Sequence, residues 1–127
     1  MAVYVDDAMI PAKVGRWNTT WCHMIADSRE ELHAFAARLG LRPSYFQESK
    51  GIGGNPPKPG SMAAEGWHYD VTANKRERAI ELGAVPIDYR ELWDVIRRRQ
   101  QRAQVADSLD PGLWEEGQLI IEGKPIE

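Results

Sequence analysis

Residues 68–78 of this 127-residue chain hold His68, Tyr69, Asp70, Lys75, Arg76 and Arg78. A histidine and an aspartate two positions apart point to one face if the stretch is a strand, with Tyr69 on the other. Imidazole with carboxylate suits a divalent metal such as zinc or manganese. Upstream, His23 adds an imidazole, and Asp6 and Asp7 add carboxylates. The candidate metal ligands are therefore His23, His68 and Asp70, and the candidate catalytic groups are Asp6, His68 and Asp70. A metal site with one open position activates water by lowering its pKa. That chemistry would make the chain a metal-dependent hydrolase of a phosphoester, nucleotide or nucleic acid. Arg16, Tyr69, Lys75 and Arg76 are the ligand-binding candidates, because Lys75 and Arg76 fall near a helix N-terminus that favours phosphate. A single cleft would then gather Asp6 or Asp7, His23 or His68, and Arg76.

Two other readings use the same residues. Without a metal, the helix start after Thr72, with Lys75, Arg76 and Arg78, would bind an anion such as a nucleotide, or an acidic segment of a partner protein. In the plainest reading these polar groups are caps and buried hydrogen bonds. No HExxH or similar spacing separates the three.

The elements that must position these groups follow from periodicity. Ala2–Val5 reads as a buried strand ending at Asp6 and Asp7, where open parallel sheets bind ligands. Residues 8–20 read as a loop holding Pro11, Gly15, Arg16 and Trp17. Trp21–Ala26 reads as a second strand, with His23 facing the same way as Trp21 and Ile25. Ser28 and Glu31 have capping-box spacing. Leu32, Phe35, Ala36 and Leu39 then form one helical face, closed by Gly40, with His33 at its border. Residues 41–47 lead into a short third strand. Residues 48–66 carry five glycines and three further prolines, with no periodicity. They read as an inserted flap, and their GIGG lacks the Gly-Lys-Ser/Thr of a phosphate loop. Trp67–Val71 is a strand, Thr72 a helix cap, Ala73–Leu82 a helix buried through Ala79 and Ile80, and Ala84–Ile87 a strand. Asp88 and Glu91 repeat the capping box. Tyr89, Leu92, Trp93 and Ile96 would form the buried face of a last helix ending near Ala106.

These elements predict a small α/β domain over residues 1–106, with about four or five mainly parallel strands and three helices. An acidic tail, 107–127, holds a candidate edge strand at Gln118–Ile121, an opening for homodimer contacts. Residues 75–102 hold eight basic and five acidic side chains, and 107–127 hold one and six, so any anion site would be screened by the tail. The net charge of −3 argues against bulk attraction of polyanions. There is a basic helix but no helix-turn-helix pair, zinc finger or aromatic stacking platform, so nucleic acid is a lesser partner than a small anionic ligand.

A hydrophobic share of 43% supports a core, while a mean hydropathy of −0.51 and the lack of a long apolar run exclude a membrane span. Cys22 is the only cysteine, which excludes an internal disulfide and a cysteine-cluster zinc site. MAVYVDDAMI has no basic leader, and the expected location is the cytoplasm.

Three blocks, VYVDD, CHMIADSREELHAFAARLGL and HYDVTANKRERAIELGAVPI, resemble the bacterial and phage domain-of-unknown-function family 4031 over residues 2–93. The resemblance implies a compact domain and no assigned activity. It draws attention to Asp6, His23, His68, Asp70 and Arg76, while 48–66 and the end of the chain depart from the family pattern.

Overall fold

A computed structural model describes residues 2–108. Six strands and four α-helices follow the order β1 (Val3–Val5), β2 (Ile10–Val14), β3 (Trp17–Ala26), α1 (Arg29–Leu39), β4 (Phe46–Gln47), α2 (Met62–Glu65), β5 (His68–Thr72), α3 (Ala73–Glu81), β6 (Val85–Pro86) and α4 (Leu92–Ser108). The strands form one sheet in the order β4-β5-β3-β1-β6, with β2 also on β3.

The fold is α/β, but the sheet is mixed rather than mainly parallel. Among the described residues only β1 and β6 pair in parallel; the other four pairings are antiparallel. The reason is local. Residues 8–20 are not a loop, because Ile10–Val14 folds back on Trp17–Trp21 across a two-residue turn at Gly15 and Arg16. Gly15 sits at φ 60°, a conformation that glycine adopts freely and that suits a tight hairpin. Pro11 is tolerated because β2 is an edge strand, where a missing N–H can face solvent. That reversal makes β3 run against β1, and β5 then runs against β3.

Side chains alternate across the long strand β3. Cys22, Met24 and Ala26 join Val3, Val5, Tyr69 and Val71 in a core against Leu32, Phe35, Ala36, Leu39 and Ala79 of α1 and α3. Ser28 Oγ accepts from the Glu31 amide at 3.2 Å, and Gly40 closes α1 at φ 86°. Thr72 caps α3 through the Lys75 amide.

α4 packs on the opposite face. Arg98 reaches the Tyr4 hydroxyl, and Arg99 donates to the carbonyls of Ala26, Glu65 and Trp67 while its guanidinium stacks 3.3 Å from the Trp67 ring centre. Among the described side chains of α4, Val95, Ile96 and Arg99 are buried; Trp93 and Tyr89, expected inside, are exposed. A buried arginine completes the helical stripe, and an apolar pattern does not anticipate it.

The 48–66 segment contains α2, and it is tied to α4 through Gln100 on the Gly60 carbonyl and Arg99 on the Glu65 carbonyl. Among the described residues no helix is long and apolar enough to cross a membrane. The strand expected at 118–121 lies outside the described residues.

Candidate metal centre

β3 and β5 pair so that His23 stands opposite Asp70. Both belong to the alternation that faces away from the α1/α3 core, and His68 shares that face two residues before Asp70. One ligand atom from each of His23, His68 and Asp70 can be chosen so that all three lie within 4.8 Å of one another. The His23 and His68 rings meet edge to face at 5.1 Å. The side chains of His23, His68 and Asp70 are 25%, 27% and 40% exposed, so the cluster opens to solvent.

Hydrogen bonds fix which nitrogens are available. His68 Nδ1 lies 2.9 Å from the Gly66 carbonyl, an oxygen that only accepts, so Nδ1 carries the proton. Its Nε2 then faces Asp70 Oδ1 at 3.1 Å. A neutral His68 would set a lone pair against a carboxylate there. A proton or a metal ion between the two relieves that repulsion.

His23 is arranged in the same way. Its Nδ1 donates to Asp6 Oδ2 at 2.7 Å, while its backbone amide donates to Asp6 Oδ1 at 2.7 Å. Asp6 is fully buried. Burial pushes its carboxyl pKa up, but the two hydrogen bonds from His23 outweigh burial and hold it below the ordinary value. The bond to Asp6 raises the His23 pKa against the pull of burial, and the charges of Asp6 and Asp70 add to the rise. Carboxylate behind imidazole is the usual support of a metal-bound histidine, leaving Nε2 for the ion.

The remaining candidates lie elsewhere. Arg76 rises from α3, on the core side of the sheet, and its Nε donates to the Asp6 carbonyl at 2.7 Å. That bond joins it to the imidazole cluster through Asp6, whose carboxylate holds His23. Asp7 accepts from the Tyr89 amide. Lys75 donates to the Leu39 carbonyl and closes the end of α1. Tyr69 is buried in the core with its hydroxyl 2.8 Å from His33 Nδ1. Arg16 is exposed in the hairpin turn beside the Trp17 ring. Gly66 was missed, because a backbone acceptor leaves no mark in the sequence. The clefts walled by Arg29 with Glu48 and by Trp67 with Arg102 share no residue with the cluster, which is an open surface site.

No curated protein and no solved structure matches the chain. The family described as "Protein of unknown function (DUF4031)" matches residues 3–99, a span that runs through 48–66 and reaches into α4. That span covers most of the 127 residues, and the chain therefore belongs to the DUF4031 family.

Proposed function

We propose that the chain is a metal-dependent hydrolase of a phosphoester, with one zinc or manganese ion held by His23 Nε2, His68 Nε2 and Asp70. The observation that carries this reading is the direction of His68: Nδ1 on a carbonyl, Nε2 on Asp70. Ligands of a tetrahedral ion stand about 3.3–3.6 Å apart, given metal–ligand bonds of about 2.0–2.2 Å. The His68–Asp70 separation of 3.1 Å is already close to that.

The ion would supply a Lewis acid and a bound water of lowered pKa. The chain's own part is to orient. Asp6 holds the His23 ring and keeps its proton on Nδ1, and Gly66 does the same for His68. Three protein ligands on an open face leave room for water and for a phosphate oxygen.

A metal-free anion module is less well supported, because Lys75 and Arg76 each give a donor to a backbone carbonyl. The test is hydrolysis of a chromogenic phosphodiester by protein stripped with EDTA and reloaded with zinc or manganese. Activity restored by the ion and absent in His68→Ala and Asp70→Ala supports the proposal. A reloaded protein with bound ion and no hydrolysis overturns the hydrolase reading.

A further inference from the structure

The β2–β3 hairpin extends the sheet past the end of β5, and its register decides what each face carries. Val14, Ala12 and Ile10 stand opposite Trp17, Thr19 and Trp21. On β3 these last three continue the alternation of His23, so the apolar side of the hairpin runs directly into the imidazole cluster. The other side carries Lys13, Asn18, Pro11 and Thr20. Trp17 and Val14 are each 56% exposed and Ile10 47%, in a ribbon whose outer strand is exposed throughout. A contiguous uncovered apolar face of this kind, as distinct from singly exposed apolar residues, marks a binding site.

We propose that this face is the platform on which a single strand of nucleic acid lies, its unpaired bases on Trp17 and Trp21 and its backbone leading to His23. Three observations favour that occupant. Indoles stack on any base, which makes them a sequence-independent platform. The charge suits a polyanion: residues 8–26 include no acidic residue in a chain of net charge −3, and the Arg16 guanidinium lies 5.8 Å from the centre of the Trp17 ring at the tip of the hairpin, while Lys13 serves only the reverse side. The platform also has the length of a polymer site. From Trp17 to His23 is about 20 Å at about 3.4 Å per residue, more than a mononucleotide covers, while Trp21 lies one side-chain repeat of about 7 Å from His23. A base seated on Trp21 therefore brings its own phosphate towards the cluster.

The role as a substrate platform rests on the metal-hydrolase reading; the binding does not. The experiment is fluorescence anisotropy of a fluorescein-labelled oligothymidylate of about 12 nucleotides, within the usual site size, at low salt with EDTA. Wild type and Trp93→Ala, which removes an exposed indole on α4 away from this face, should bind alike, Trp17→Ala about tenfold more weakly, and Trp17→Phe close to wild type. A competing DNA duplex should displace the probe poorly. No binding by wild type, equal binding by Trp17→Ala, or equal competition by duplex overturns the proposal. So does sedimentation showing that wild type self-associates through this face and Trp17→Ala does not. If no preparation holds metal yet the Trp17 dependence is seen, the platform stands and the hydrolase reading falls.

Discussion

His68 Nε2 faces Asp70 Oδ1 at 3.1 Å on the face of the sheet turned away from α1 and α3, two residues apart on one strand. The contact is electrostatically sound only with a positive charge in it, because Gly66 already takes the proton of Nδ1. A metal ion supplies that charge in loaded protein, and a proton supplies it in stripped protein.

Metal should stabilise the fold. At an ion concentration of about 100 times Kd, binding adds about 2.7 kcal/mol. Zinc or manganese added to stripped protein should raise Tm by several degrees, and Asp70→Ala should remove the shift. A shift of equal size in the variant places the ion elsewhere.

The Asp6–His23 pair gives metal-free protein a defined pH dependence. His23 is raised above its ordinary 6.5, so its contribution is complete below 6.5 and is lost as pH climbs through the raised value. Asp6 is lowered from 3.8, so its contribution is present above 3.8 and is lost as pH falls through the lowered value. The pair therefore supports the fold best between 3.8 and 6.5. In EDTA, wild type should be more stable at about pH 5.5 than at about pH 8, and Asp6→Asn should flatten the difference at a cost of about 1–3 kcal/mol. Metal loading has the opposite sign, because Nε2 must be free of its proton. An unchanged pH difference in Asp6→Asn contradicts the assignment.

Arg99 holds α4 to the sheet. It is 2% exposed and donates to three carbonyls, those of Ala26, Glu65 and Trp67. Each orphaned buried acceptor costs about 1–3 kcal/mol, so Arg99→Ala should lower unfolding free energy by at least about 3 kcal/mol. Arg99→Lys should recover little, lacking the planar fork. Phe35→Ala should cost about 3–5 kcal/mol, and exposed Trp93→Ala about 0.5 kcal/mol or less. Denaturant titration separates these.

Amide exchange should divide the 48–66 segment. Residues 48–59 hold one paired bridge, Ile52 with Asn55, and should exchange fast. Gly60–Gly66 is tied to α4 by Gln100 and Arg99 and should be slower. Uniform protection would mean that 48–59 packs as firmly as α2.

What the sequence made legible was short-range. The period of two placed His68 and Asp70 on one face and Tyr69 on the other. Ser28, Thr72 and Gly40 marked helix ends, because a cap is satisfied within a few residues. Strand direction was not legible, since it hung on the tight turn at Gly15–Arg16, hidden among Pro11 and paired threonines. The neighbourhood of His23 was hidden for a related reason: its approach to Asp70 is a pairing of strands far apart in sequence. Trp93 was placed inside because two helical stripes competed, and the stripe that won contains an arginine.

The most direct test is anomalous diffraction at the zinc edge from crystals of stripped and reloaded protein. The account predicts one peak, about 2.0–2.2 Å from His23 Nε2, His68 Nε2 and an Asp70 carboxylate oxygen, with Asp6 still on His23 Nδ1. A peak elsewhere, or none, with His68 resting on Asp70 as a protonated ion pair, would contradict it.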